Sequence, residues 1–374
     1  MKNLKISDTA KTLKFMSKNP KFIAKNVLSK NDLSEVVKNM AKELGASEVG
    51  IVTKKTLEGG PESTDLEYVL PGAKSALVFA VPFDQKLIEP YLSKKDHSLN
   101  KNKIRTTTFA RGIASEIAEF LYMIGFESKA ISPNFVYRKD TPNGIRDMKP
   151  IVSHRYLAAR SGVGFFGHSG HILTKEYGAA IVLASVVTTA DLKGTEPLTK
   201  SDNYCDGCNL CTAMCIPQFI PKNEKTVIEM GGEEFEYGKR GDYSKCGIVC
   251  SGFAGLHPSK KWSTWSPARI DLPEKDEDFR FAMLNAMPAY LQRPKNGDYF
   301  YHPLIPQYKL EYTCSNCQFI CHPDKEVRIN RFKLLKNSGV IIEDEEGNRK
   351  SVTPEEAEII IQDMPNKRKK IYTN

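Results

Sequence analysis

The 374-residue chain carries nine cysteines, and all of them lie in its second half. None occurs before Cys205; then come Cys205, Cys208, Cys211 and Cys215, the pair Cys246 and Cys250, and finally Cys314, Cys317 and Cys321. Residues 1–22 carry scattered lysines but neither the apolar core of a secretory signal nor a twin arginine, so cytoplasmic residence is expected. The longest apolar runs, residues 75–82 and 179–187, are far too short to span a bilayer. In such a compartment, cysteines at gaps of two and three residues point to metal rather than to disulfides.

Cys205-x2-Cys208-x2-Cys211-x3-Cys215 has the spacing of the bacterial ferredoxin motif. Three thiolates on a tight loop reach three corners of one iron–sulfur cube, while the fourth points away to a second cube. The proline that usually follows the fourth cysteine is displaced by one, as Ile216-Pro217. Zinc also takes Cys-x2-Cys pairs, but two such runs in one chain favour clusters. The second run, Cys314-x2-Cys317-x3-Cys321, lacks the first cysteine of the motif, so a remote residue must complete its cube. Crossed ligation then assigns one [4Fe–4S] cluster to Cys205, Cys208, Cys211 and Cys321. The other takes Cys215, Cys314, Cys317 and one of Cys246 or Cys250. Two neighbouring cubes make a wire for single electrons.

Hydrophobic residues make up 40% and charged residues 26% of the chain, which suits folded domains rather than disorder. We expect a basic lead-in over residues 1–30, a first domain over 31–198, a cysteine domain over 199–330 with an insertion at 218–312, and an extension over 331–374. A helix is expected over 32–44, strands over 48–52 and 75–81, a helix over 110–124, a loop over 132–150, a short helix over 155–160 and a strand over 179–188. A hairpin should turn near Met230-Gly231-Gly232-Glu233. The fold class is α+β. The net charge of +9 is concentrated at the N-terminus and in Lys367, Arg368, Lys369 and Lys370. Such tails are more often solvated surface than nucleic-acid sites.

The glycine-rich stretch Arg160-Ser-Gly162-Val-Gly164-Phe-Phe-Gly167-His168-Ser-Gly170-His171-Ile-Leu173 leads into Lys175-Glu176-Tyr177-Gly178. Alone it is a weak signal, with neither a Walker lysine nor a preceding strand. Followed by an apolar strand ending in Thr189-Ala-Asp191-Leu192 and then the cysteine motif, it resembles the epoxyqueuosine reductases and reductive dehalogenases, one superfamily of cobalamin-dependent reductases. Gly45-Ala-Ser-Glu-Val-Gly50-Ile and Leu70-Pro71-Gly72-Ala73-Lys74-Ser75 with Val81-Pro82-Phe83 fit its opening strands, so the resemblance covers about residues 31–325. Asp242-Tyr243-Ser244-Lys245-Cys246 resembles the lone-cysteine segment of the dehalogenase branch. That resemblance selects Cys246 as the remaining ligand and leaves Cys250 as a spare buried thiol. An export signal and the helical repeat that many epoxyqueuosine reductases use for transfer RNA are not expected.

The resemblance implies a nitroreductase-like, corrinoid-binding first domain and a ferredoxin-like domain with two [4Fe–4S] clusters that pass electrons singly to cobalt. It implies a small organic substrate, an electron donor such as a ferredoxin or flavodoxin, and, for the alternative of epoxyqueuosine reduction, a tRNA. A third alternative is an electron-transfer protein without corrinoid. Backbone at Gly162, Gly164, Gly167, His168, Gly170 and Leu173 would line the corrinoid, with Tyr177 and Gly178 behind. Epoxyqueuosine reductases place a proton-donating aspartate near Met148, which makes Asp147 a candidate. Dehalogenases use a tyrosine supported by a cation, for which Tyr156 and Tyr137, with Arg155 and Arg138, are available. Trp262, Trp265 and Tyr301 either wall a substrate site or pack the insertion.

Overall fold

The computed structural model describes residues 28–134, 136–294, 299–301 and 307–373. The basic lead-in expected over residues 1–30 falls almost wholly outside them.

The first helix, α1 (Lys30–Glu43), starts where Ser29 accepts a hydrogen bond from the backbone of Asp32, and it buries Leu33, Val37 and Ala41 on one stripe. Four strands follow the expected order with one addition. They are β1 (Glu48–Thr53), β2 (Ser75–Pro82), a short edge strand β3 (Ser128–Ile131) and, after the paired two-residue strands β4 (Phe165–Phe166) and β5 (Ile172–Leu173), β6 (Ile181–Thr188). They form one antiparallel sheet in the order β1-β2-β6-β3. Alternation along β2 divides its side chains between two cores. Leu77, Phe79 and Val81 face α1 and α2 (Ser98–Met123), whereas Ala76, Val78 and Ala80 face α3 (His154–Arg160).

Helix α2 begins twelve residues before the expected start, because its first half is polar and reads as loop. Leu99, Asn100, Lys103 and Thr106 in that half are nevertheless buried. The core on the α1–α2 side continues without a break into the cysteine region through Ile248, Phe253, Trp265, Phe319 and Ile320.

The hairpin β7 (Lys225–Met230) and β8 (Glu233–Gly238) turns at Gly231 and Gly232, both at positive φ, as expected. It lies against α3 and β4: Arg160 donates to the Met230 carbonyl (3.2 Å), and Tyr237 stacks on Phe166 at 4.6 Å. Helix α4 (Tyr243–Cys250), capped by the Asp242 carboxylate, then carries Cys246 and Cys250 one turn apart. Trp262 and Trp265 are buried, and the Trp265 indole donates to the Tyr91 carbonyl (3.1 Å), so both pack the interior. Tyr301 is largely exposed. After α5 (Phe279–Leu291), the C-terminal part comprises α6 (Lys325–Lys336), a hairpin over Val340–Glu343 and Arg349–Val352, and α7 (Pro354–Asp363). Arg349 ties that part to the body, with its guanidinium 2.7 Å from both Glu311 and Glu343. Among the described residues no helix is long and apolar enough to cross a membrane.

Candidate functional site

The fold collects the thiols into two adjoining groups. In the first, burial and then the nearness of Cys205 and Cys208 push Cys211 up to about 12. Cys321, also there, is raised by burial and then by Cys205 and Cys211. In the second, Cys314 is pushed up to about 12 by burial and then by Cys250, while Cys317 is raised by burial, Cys314 and Cys215. Cys246 and Cys250 share a hydrogen bond; that bond and the nearby Lys103 hold the Cys250 thiol below its usual range. Buried thiols that resist losing their protons together are suited to a cationic centre that replaces those protons. Among the described residues no three Cys, His, Asp or Glu side chains converge as single-ion ligands do. Sulfur-directed hydrogen bonds from the backbones of His168 to Cys205 and Phe219 to Cys215, both 3.2 Å, are the kind that tune an iron–sulfur centre.

A cavity of about 370 Å³ lies against the second group. They share a wall: Lys103 donates to the Cys314 carbonyl (3.1 Å) and the Ser315 hydroxyl (2.8 Å), and the His171 ring lies 3.5 Å from the Cys317 sulfur. On the cavity lining, Tyr243 receives hydrogen bonds from Arg155 (3.0 Å) and Arg240 (3.3 Å). Each guanidinium is anchored on the glycine-rich stretch, Arg155 on the Gly170 carbonyl (2.7 Å) and Arg240 on that of Ser169 (2.9 Å). Gly170, at φ +69°, permits this approach, since a Cβ there would lie 2.7 Å from the Arg240 Nε.

Burial by itself raises the Tyr243 phenol, but the two guanidiniums and the hydrogen bond from Arg240 outweigh it and bring the pKa down to about 8. Tyr243 remains 40% exposed, so water screens part of that effect. The neighbouring Tyr137 goes the other way, up to about 12, through burial. His154 is held neutral by burial, its pKa down to about 4.

Of the expected proton donors, Tyr137 lines the cavity, whereas Tyr156 and Asp147 do not. The Tyr156 hydroxyl is 2.8 Å from that of Tyr237. Asp147 accepts hydrogen bonds from the Asn143 side chain (2.9 Å) and backbone (3.1 Å), which hold its carboxyl below the usual range. Its neighbour Met148, in a left-handed conformation, lines the cavity instead. Arg138 is paired with Asp140 at 2.7 Å. Arg155 is the one expected supporting cation that reaches the site.

None of Gly162, Gly164, Gly167, His168, Gly170, Leu173, Tyr177 or Gly178 lines this cavity, although His171 and Ile172 between them do. The stretch instead supports the first thiol group. Leu173 packs with Cys205 and Cys321, and Gly178, at positive φ, lies directly against the Cys321 backbone. Sequence reasoning missed Lys103, Arg240 and Tyr243 as site residues. Tyr243 stands three positions before Cys246 in a segment read only for its thiol. Lys103 belongs to the polar half of α2, whose burial had no sequence signal.

No family model matches the chain. The epoxyqueuosine reductase of Gloeobacter violaceus is 23% identical over 205 residues, covering 48% of this chain and 58% of that protein. That of Lactococcus garvieae is 28% identical over 137 residues, 33% of this chain and 34% of that protein. The chain thus spans less than two thirds of the length of these curated relatives. Among solved structures, a catabolic reductive dehalogenase aligns with TM-score 0.47 and 17% identity over 60% of this chain and 30% of that one. An epoxyqueuosine reductase with a tRNA stem loop aligns with TM-score 0.41 and 17% identity over 79% of this chain and 68% of that one. By sequence, the chain is thus related to the epoxyqueuosine reductases over up to about half of its length.

Proposed function

We propose that the protein is a corrinoid-dependent iron–sulfur reductase that cleaves a bond of a small organic substrate, with Tyr243 as proton donor. The observation that carries this reading is the phenol held by Arg155 and Arg240 on a cavity that shares a wall with the second thiol group. Cys205, Cys208, Cys211 and Cys321 would hold one [4Fe–4S] cluster. Cys215, Cys314, Cys317 and either Cys246 or Cys250 would hold the other. Cys208 is exposed, which makes the first group the entry for electrons from a donor such as a ferredoxin or flavodoxin. Cobalamin, when bound, supplies a cobalt centre where electrons meet the substrate. Ser132, Asn134 and Gln318 on the cavity wall offer neutral groups suited to its carboxamides. Arg155 and Arg240 orient the Tyr243 hydroxyl and stabilise the phenolate left after proton transfer.

Anaerobic reconstitution with iron, sulfide and cobalamin tests the proposal. It requires about eight irons and one cobalt per chain. Full iron with no bound cobalt would remove the corrinoid mechanism and turn attention to electron transfer to a partner.

A second reading, epoxyqueuosine reduction in tRNA, is supported by the names of the sequence relatives. The side chain at the expected aspartate's place is Met148, which carries no proton to give. Salt-sensitive binding of a tRNA stem loop, together with turnover of its epoxyqueuosine, would favour this reading.

A further inference from the structure

Among the described residues, three cations line the cavity, Lys103, Arg155 and Arg240, and no aspartate or glutamate does. Elsewhere in the fold, Arg138, Arg160, Arg328 and Arg349 each meet a carboxylate within 4 Å, whereas the buried Arg293 and Arg331 donate to carbonyls. Among the described residues, the three cavity cations meet no carboxylate. Their hydrogen bonds go to neutral acceptors: the carbonyls of Cys314, Gly170 and Ser169, the Ser315 hydroxyl and the Tyr243 phenol. The Arg240 Nη2 is sealed from water and, among the described residues, has no hydrogen-bond partner. A desolvated cation without a counter-ion is costly, so cations held this way favour an anion in the space that they line. Lys103 and, more weakly, Arg240 lie near the second group of thiols, so a cluster's negative charge would answer them in part. Arg155 and Arg240 converge on Tyr243, whose phenol is uncharged whenever it is ready to donate its proton.

We infer that the cavity selects small organic anions, and that Arg240, with Arg155, receives the carboxylate of the substrate beside the Tyr243 hydroxyl. This rests on the reductase reading for the words "substrate" and "proton", but the anion preference stands on the cavity alone. The same two arginines suit one other oxyanion, the phosphodiester in the nucleotide tail of cobalamin, and the two sources are separable.

The test uses the full chain with its clusters reconstituted anaerobically, titrated calorimetrically with benzoate and with its neutral isostere benzamide. We expect benzoate to bind at least about tenfold tighter, as one charge-assisted hydrogen bond provides. Raised salt should erode the difference, and Arg240→Gln should abolish most of it with unchanged iron content. Equal affinity of the wild type for the two probes overturns the inference without recourse to any variant. A preference that disappears once cobalamin is loaded assigns the arginines to the phosphodiester and also overturns it. Cobalt content of the same samples reports separately on the reductase reading. A benzoate preference without cobalt binding sinks that reading and leaves this one. Cobalt binding without a preference does the reverse.

Discussion

Two clusters of buried cations in this molecule look alike in composition and differ in how they are completed. Around Arg349 the carboxylates are answered. The guanidinium lies 2.7 Å from Glu311 and from Glu343, and the Tyr372 hydroxyl donates to Glu343 at 2.9 Å. Around Tyr243 the cations meet only neutral oxygens and a phenol. The first arrangement fastens the C-terminal part to the body and is complete without a ligand. The second is left open to a charge that the chain does not supply, which is the usual mark of a site arranged for chemistry rather than for stability.

The sharpest way to break this contrast is Tyr243→Phe. In protein loaded with clusters and cobalamin, and supplied with a chemical reductant, it should lower turnover of any accepted substrate by about 10²–10⁴-fold. Iron and cobalt contents should not change. In the wild type, the rate should fall as pH rises through about 8, where the phenol loses the proton it must donate. A flat profile to higher pH would remove Tyr243 from that role.

Next in size is Arg349→Met, which removes the cation shared by the buried carboxylates of Glu311 and Glu343 and should cost about 3–5 kcal/mol in denaturant unfolding. Arg240→Gln, read by the same method, should cost no more than about 1 kcal/mol. Equal losses would erase the distinction between the two regions.

A third test uses Lys94, which is buried against Ser338 at 3.2 Å and whose pKa is brought down to about 7 by burial. Between that value and its ordinary one, the unfolded chain holds a proton that the folded chain does not. Stability should therefore rise with pH from about 7 to about 10, by roughly 1.4 kcal/mol per unit from this group. Lys94→Met should remove that slope.

Smaller still are Asp147→Asn and Tyr156→Phe, each of which should leave turnover within about twofold, because neither side chain lines the cavity. A large loss from either would return the proton-donor role to it.

Much of this could be read from the sequence, for identifiable reasons. The near-continuous apolar runs of residues 75–82 and 181–188 and the Gly231-Gly232 turn are local signals, and they produced the strands and the hairpin where expected. Cysteine spacing likewise groups Cys321 with Cys205 and Cys211, whose charges reach it across more than a hundred residues of chain. What stayed hidden depends on packing. The polar start of α2 forms a helix because Lys103 is drawn in over the Tyr312 ring, 4.1 Å away, beside Ser315. Tyr243 becomes a site residue only when Arg155 and Arg240 arrive from segments 88 and 3 residues distant. The glycine-rich stretch drew attention as a cofactor lining, whereas its carbonyls orient the arginines and its backbone supports Cys205 and Cys321.

Helix α4 carries Tyr243 at one end and Cys246 and Cys250 along the next two turns, a span of roughly 12 Å at 1.5 Å per residue. A single short rod therefore holds both the group that handles protons and thiols proposed to handle electrons. Its footing is one cap, the Asp242 carboxylate receiving the Ser244 amide at 2.7 Å. Whatever loosens that cap unsettles both ends together, so the two kinds of traffic share one point of mechanical failure and, for the same reason, one means of staying in step.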